Sequence, residues 1–379
     1  MKKQLIFLIC MIMAACMTAA CANGQESYEN GLKAFQEQKY EEAETYLRRA
    51  LSQGNDAPAV KADLALTQLK LERYDESLET LNEAYQAAPQ DTEVLKRVGL
   101  FYEWTSDPQT AASFYESALR LSGGKWTADS LETQGLLAVL YQKNGLYTRA
   151  VKGFNTLITQ GYRVSDHVLL AGECYLSMQQ IYASTQYFDL LDQCQDATAD
   201  HYLKACQGLK EKRAENEARK YLQKGIELIG QGKGSCSAGE FCCFAGFYDE
   251  AEAYAAGKDD HDANMTRALL AFSKNDLKTC ETAVAAALSA DPDDMDAYAL
   301  YALVKAKEGD EKTVKQLLTK INAKGSSTAQ ADALWNQIVM YEQNGKYSDA
   351  YSLLKDYRKR FNLTNAVRRE LKFLSRLED

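Results

Sequence analysis

The chain has 379 residues with a formal net charge of -9, 46% apolar and 26% charged residues, and only 4 prolines. A normally hydrophobic, proline-poor chain of this size folds either as two ordinary domains or as one long helical array. The acidic balance excludes nucleic acid as a principal partner, because phosphate binding requires a basic surface.

Residues 1–21, MKKQLIFLICMIMAACMTAAC, open with Lys2 and Lys3, continue through the apolar run Leu5 to Met13, and close on small residues and a cysteine, the pattern of an export signal. Thr18-Ala19-Ala20-Cys21 resembles the lipobox of bacterial lipoproteins, in which small residues precede a cysteine that is acylated on sulfur and becomes the new N-terminus. Thr18 stands where that family usually has Leu. Met13-Ala14-Ala15-Cys16 is the competing match and keeps a large apolar residue there. The resemblance implies a signal peptide over 1–20, lipidation at Cys21 (alternatively Cys16) and a short linker over 21–26. The chain would then be exported and held on the cell membrane or outer membrane by its acyl chains. Leu5 to Ala22 is also 18 residues without a charge, the borderline length for an uncleaved membrane anchor. Either reading tethers the protein outside the cytoplasm.

Beyond residue 26 a fixed period appears. QKYEEAETYLRRAL (38–51), ERYDESLETLNEAY (72–85) and SDPQTAASFYESAL (106–119) align with Ala43, Ser77 and Ala111 spaced 34 apart. The same small position recurs at Ala150, Ser184, Ala218, Ala251, Cys280, Val314 and Ala350, with successive spacings of 34, 34, 39, 34, 34, 33, 29, 34 and 36. Gly31, Gly99 and Gly172 occupy a glycine position, Tyr102, Tyr141, Tyr175 and Tyr341 a tyrosine position, and Pro89 and Pro292 stop second helices. This pattern resembles the tetratricopeptide repeat (TPR), a helix-turn-helix unit of thirty-four residues, over roughly 27–364. It implies an all-α solenoid, a right-handed superhelix of about ten repeats in which each hairpin buries its apolar face against the next. The expected organisation is repeats one to six over 27–231, a degenerate repeat or joint over 232–261, repeats eight to ten over 262–364, and a cap helix over 365–379. In the cap, Val367, Leu371 and Leu374 recur at helical spacing among Arg368, Arg369, Lys372 and Arg376.

Charge is unevenly spread along this array. Glu26 to Val94 holds 15 acids against 7 bases, whereas Leu353 to Asp379 holds 8 bases against 4 acids. Solvated helix faces account for such runs, and so does orientation at a charged partner.

Catalytic constellations are scarce. His167 and His201 lie 34 apart, at one position of adjacent repeats, but no carboxylate or C-x-x-C partner pattern accompanies them. There is no G-x-x-x-x-G-K-[ST], H-E-x-x-H or G-x-S-x-G motif. The expectation is a protein without enzymatic activity, cofactor or metal.

The TPR resemblance implies a concave face lined by first helices that receives a protein or peptide. On the thirty-four-residue ruler that face holds Tyr28, Leu32, Phe35, Leu66, Leu69, Lys96, Leu100 and Glu103, each also placed where inter-repeat core is expected. The longest spacing inserts SGGKWTADS (122–130), which leaves Trp126 in a loop as a candidate partner anchor. The expected function is an envelope-anchored interaction scaffold; a carrier lipoprotein holding a glycan or peptide is the alternative, to be favoured by clustered exposed aromatics.

One stretch, GSCSAGEFCCFAGFYDEAEAY (234–254), places Cys236, Cys242 and Cys243 together. On the ruler Cys242 takes the tyrosine position and Cys206 the glycine position, so these sulfurs read as buried small hydrophobes in a weak joint. Bridges of Cys236 with Cys242 or Cys243, or of Cys194 with Cys206, are the other reading in an oxidising compartment.

Overall fold

A computed structural model describes residues 24–361 and 365–376. Cys16 and Cys21, with the segment read as a signal peptide from the sequence, lie outside the described residues. Among the described residues no helix is long and apolar enough to cross a membrane.

The chain divides into two compact units, Met1–Ala197 and Thr198–Asp379. The first holds five helical hairpins: α1 (24–36) with α2 (Tyr40–Ser52), α3 (Pro58–Lys70) with α4 (Tyr74–Ala87), α5 (Thr92–Trp104) with α6 (Pro108–Leu121), α7 (Ala128–Lys143) with α8 (Tyr147–Thr159), and α9 (Ser165–Ser177) with α10 (Ile181–Phe188). The last runs into a 3-10 turn, Asp189–Gln193. The second unit holds α11 (Ala199–Glu211) with α12 (Glu215–Gly230), α13 (Ala238–Phe244) with α14 (Tyr248–Ala255), α15 (His261–Ser273) with α16 (Leu277–Ala290), α17 (Met295–Glu308) with α18 (Glu311–Lys324), and α19 (Ser327–Gln343) with α20 (Tyr347–Arg360). A final helix, α21 (Asn365–Ser375), packs on α20.

The periodic spacing in the sequence is a backbone period. In every hairpin one residue of the turn takes a left-handed φ: Gln38, Glu72, Ser106, Gly145, Gln179, Arg213, Gly246, Asn275, Gly309 and Gly345. Their spacings repeat those of the small-residue position, which follows each by five residues. Each turn is closed in the same way. The N–H that follows the left-handed residue donates to the carbonyl five residues back, as from Leu146 to Tyr141, Phe247 to Cys242 and Lys346 to Tyr341, each at 2.8 Å. This six-to-one bond satisfies an otherwise orphaned carbonyl at the end of the first helix and aims the chain into the second.

Downstream of each turn, the small residue sits where two helices meet. Ala43, Ser77, Ala111, Ala150, Ser184, Ala218, Ala251, Cys280 and Ala350 are all fully buried, and Val314 nearly so. Gly99 and Gly172 permit the closest approaches: a Cβ on Gly99 would lie 2.5 Å from the Tyr115 ring, and one on Gly172 2.3 Å from Phe188. Gly31 stands in the same relation to Leu47. Each second helix packs on the first helix of its own hairpin and on that of the next within its unit. Buried Leu81, Phe101, Phe154 and Leu157 in the first unit, and Val284, Val304 and Ile321 in the second, form the cores between layers.

One boundary differs from the sequence-based expectation of a joint at 232–261. The division falls between Ala197 and Thr198, and the cysteine-rich stretch forms a short complete hairpin inside the second unit. It is held there because both α13 and α14 pack on α15, and because Phe241 and Phe247 are almost fully buried.

Two substitutions separate these constraints. Gly99→Ala should destabilise the protein by about 1–3 kcal/mol, because the buried Tyr115 ring cannot yield cheaply. Gln179→Gly, at an exposed residue with φ 63°, should instead stabilise it by up to about 1 kcal/mol by relieving a left-handed side-chain clash. Urea titrations of both variants measure these effects, and a loss of stability in Gln179→Gly would contradict the turn argument.

Candidate functional site on the first-helix face

In the first unit the first helices of successive hairpins touch: α3 packs on α5, α5 on α7 and α7 on α9. Side chains also meet across two repeats, from α1 to α5, so this face lies on the inside of the unit's curvature. A polar ladder runs along it. The Tyr28 hydroxyl donates to Asp63 Oδ2 at 2.7 Å, Arg97 Nε donates to Asp63 Oδ1 at 2.6 Å, and Arg97 Nη2 reaches the Tyr28 hydroxyl at 3.3 Å. Arg97 also pairs with Glu93. Lys96 then binds Glu132 at 2.9 Å, Glu93 at 3.4 Å, and Asp129.

The Arg97 side chain is only 11% exposed and that of Asp63 13%. Burial opposes the charge on Arg97, but Asp63 and Glu93 outweigh it and raise the guanidinium's pKa further. Burial and then Asp63 likewise push up the Tyr28 phenol. Glu93 and Asp129 share a hydrogen bond between carboxyls; Asp129 is raised by burial and by Glu93, while burial of Glu93 is outweighed by the hydrogen bond from Asp129 and then by Arg97 and Lys96, which hold its pKa down. The ladder therefore ties neighbouring repeats together through desolvated, mutually satisfied charges.

Above the ladder lies an aromatic site. Phe35 at the end of α1 stacks on Trp104 at the end of α5, with ring centroids 6.2 Å apart and planes 12° from parallel. Lys70, at the end of α3, places its Nζ 3.9 Å from the Trp104 ring centroid. Tyr40 meets Phe35 edge-on at 5.4 Å. Phe35 and Trp104 are half-buried and Lys70 is exposed, so their outer edges face solvent.

Of the residues that the ruler places on this face, Tyr28 and Lys96 belong to the ladder, and Glu103 accepts from Tyr115 at 3.1 Å and from Lys143 at 3.0 Å. Leu66 is core, Leu69 and Leu100 are half-buried against it, and Leu32 is half-buried. Phe35 alone joins the aromatic site. Asp63, Arg97, Lys70 and Trp104 were not singled out in the sequence, although Phe35, Lys70 and Trp104 fall 35 and 34 apart and carried the signal.

Trp126 is in the inserted loop as expected and 37% exposed. That insertion also opens a cavity of about 190 Å³ between α5, α6 and α7, walled by Leu119, Ser122, Lys125, Thr127, Asp129 and Thr133.

The first helices of the second unit carry carboxylates instead of a ladder: Glu240, Asp262, Asp296 and Asp332. Burial raises Asp296, with Asp294 and Asp332 adding to it, and burial raises Asp332. His261 lies 2.8 Å from Asp294 and 3.2 Å from Asp262; burial opposes its charge, but these hydrogen bonds outweigh it and raise its pKa.

The other candidates are structural. His167 packs between Phe154 and Tyr162, with ring centroids 5.8 and 6.0 Å away, and burial lowers its pKa. His201 caps α11, accepting the Thr198 N–H at Nδ1 over 3.1 Å. These two histidines belong to different units. Cys174, Cys194, Cys206, Cys236, Cys242, Cys243 and Cys280 are unbridged thiols. Burial pushes Cys206, Cys236 and Cys243 up to about 12 and Cys242 to about 11, which suppresses the reactive thiolate. Among the described residues no group of three or more His, Cys, Asp or Glu is placed to hold a metal ion.

The ladder makes a specific demand. Arg97→Met should cost about 2–4 kcal/mol, because it leaves Asp63 and Glu93 desolvated without their cation. Thermal unfolding in low and high salt measures it, and a change within about 0.5 kcal/mol would mean that the ladder is not coupled to stability.

Residues 34–97 match the family model of the tetratricopeptide repeat. No curated protein matches the chain. Among solved structures, Pseudomonas aeruginosa pilF is similar at 17% identity, covering 55% of this chain and 93% of that one, with a TM-score of 0.45. PilW, a type IV pilus biogenesis factor, is similar at 14% identity over 55% of this chain and 94% of its own, with a TM-score of 0.46. The C-terminal part of a TPR repeat-containing protein from Cytophaga hutchinsonii is 16% identical over 71% of this chain and 97% of its own, with a TM-score of 0.42. The matched segment covers α2, α3 and α4 with the first half of α5, and its turn geometry recurs in all ten described hairpins, so the fold of this chain is that of a tetratricopeptide-repeat α-solenoid.

Proposed function

We propose that the protein is a non-catalytic interaction scaffold of the bacterial cell envelope, tethered by an acylated N-terminal cysteine and binding a protein or peptide on the first-helix face of its first unit. The observation that carries this reading is the Phe35, Trp104 and Lys70 site. Aromatic residues with a nearby cation, set on rigid helix ends and rimmed by satisfied charges, form the kind of anchor that contributes most of an interface's energy. A glycan carrier would call for an extended aromatic platform. Here one stacked pair stands in a mainly ionic face, which favours a polypeptide partner. The tether rests on the lipobox resemblance of Thr18 to Cys21, with Cys16 as the alternative acceptor.

Two measurements address the two halves of the proposal. Affinity capture from native envelopes should recover a reproducible polypeptide, and the double substitution Phe35→Ala with Trp104→Ala should reduce its recovery about tenfold at a temperature where circular dichroism shows the variant still folded, since both rings also pack on the core. Equal recovery by the double variant would place binding elsewhere. Radiolabelled fatty acid should enter the wild type but not Cys21→Ser, and undiminished labelling would exclude Cys21 as the acceptor.

A further inference from the structure

On the first-helix face of the second unit, one contact joins two hairpins and has no part in the scaffold reading. His261 opens α15, and each of its ring nitrogens lies against a carboxylate. Nε2 is 2.8 Å from Asp294 Oδ2, and Nδ1 is 3.2 Å from Asp262 Oδ1. Asp262 is on the same helix, whereas Asp294 belongs to the next hairpin. There its other oxygen caps α17, accepting the Asp296 N–H at 2.8 Å and the Ala297 N–H at 3.0 Å. A single carboxylate therefore both starts α17 and reaches back to α15.

A neutral imidazole carries one N–H, so it donates to one of these carboxylates and turns a lone pair toward the other. Only the imidazolium donates to both. The charged groups of the surrounding elements leave this pairing intact. Glu240 of α13 accepts the Ser237 N–H at 2.8 Å at its own helix start. The Tyr254 ring of α14 carries Lys258, with Nζ 3.7 Å from its centroid. Ahead of α15, Asp260 accepts the Ala263 N–H at 2.9 Å and Asp259 accepts from Asn264 at 3.2 Å, while Arg267 of α15 donates to Asn264 and to the Ala255 carbonyl. Between α16 and α17, Asp291 accepts the Asp293 N–H at 3.0 Å and Asp293 binds Lys324 of α18 at 2.9 Å. Asp296 of α17 and Asp332 of α19 add further carboxylates, whose field favours the charged ring. We propose that His261 is a proton-dependent staple between hairpins: protonated, it fastens α15 to the cap of α17, and neutral, it surrenders one of its two carboxylates and joins the hairpins less firmly.

The direction of the pH dependence follows from linkage. Burial opposes the charge on His261, but the hydrogen bonds to Asp262 and Asp294 outweigh it and lift the ring above the value of 6.5 at which an unperturbed histidine titrates. A histidine with a raised folded pKa binds its proton more tightly in the folded chain than in the unfolded one. Its contribution is therefore complete below about pH 6.5 and is lost as pH rises through the folded value. The chemistry is proton exchange with solvent alone. Deprotonation also leaves the first-helix face around Asp262 and Asp294 one charge more negative.

Two measurements on the full-length protein test the staple. In a proton NMR titration the His261 ring should change ionisation above pH 6.5, and Asp294→Asn, whose amide oxygen still caps α17, should bring it down toward that value. Hydrogen exchange, corrected for its intrinsic pH dependence, should show protection of the α15 and α17 amides falling roughly two- to fivefold between about pH 5.5 and about pH 8.5, the scale of a partly exposed ion pair. His261→Gln keeps one donor and carries no charge, so its protection should be the same at both pH values. A wild-type ring that titrates at or below 6.5 would overturn the proposal, as would a glutamine variant that keeps the wild-type fall in protection.

Discussion

The structure depends on one backbone event repeated ten times, the left-handed residue that closes each helical hairpin. It turns the chain back so that its N–H groups reach carbonyls of the first helix, and it sets where the second helix begins. Tyr40, Tyr74, Pro108, Tyr147, Ile181, Glu215, Tyr248, Leu277, Glu311 and Tyr347 all open second helices two residues after their turn residue. Five are tyrosine, yet Pro108, Ile181, Glu215, Leu277 and Glu311 open their helices at the same place, so the register does not depend on the side chain there. Only four of the ten turn positions are glycine, so six hairpins accept left-handed strain in a residue with a side chain. The packing of each hairpin on its neighbours must offset that cost.

Constant register has a consequence at the level of side chains. Because first helices of adjacent hairpins lie in contact, residues one period apart become neighbours. Tyr28, Asp63 and Arg97 form one such line, Lys96 and Asp129 another, and Phe35, Lys70 and Trp104 a third. The two units use this differently. In the first, opposite charges alternate and neutralise one another, leaving an aromatic pair and a lysine exposed at the helix ends. In the second, like charges repeat, and the upward shift of Asp296 reflects burial with the charges of Asp294 and Asp332 added, while that of Asp332 reflects burial. One backbone period thus supports two electrostatically distinct faces.

How much of this was legible follows from what the period constrains. The hairpin count, the buried small residue and the close approach at Gly99 and Gly172 could be read from spacing, since each is set by sterics that act within one repeat. The partners of polar residues could not, because they are set between repeats. Lys96 and Glu103 looked available for a ligand but are consumed by Asp129, Tyr115 and Lys143 on neighbouring helices. Trp104 was passed over because it lies beyond the tyrosine position on which repeat motifs are scored, yet its equivalence to Phe35 was present in the numbering. The division at Ala197 was equally hidden. It follows α10, which ends after eight residues in a 3-10 turn, while the spacing of the small residues runs on through it without change.

The cysteine-rich stretch shows why a compositional signal can mislead in a repeat. Cys242 stands where Tyr141 and Tyr341 stand, and its carbonyl accepts the N–H of Phe247 as theirs accept those of Leu146 and Lys346. The position asks of its side chain only that it fill buried space. A thiol meets that requirement, as Cys206 does beside α12 and Cys280 at the small-residue position of α16. Sulfur placed by packing is desolvated, and desolvation is what raises these thiols away from reactivity. Cys242 and Cys243 therefore fall together because a shortened hairpin brings buried positions within a few residues, while the partly buried Cys236 precedes α13, and no chemistry of sulfur is needed to account for the pair.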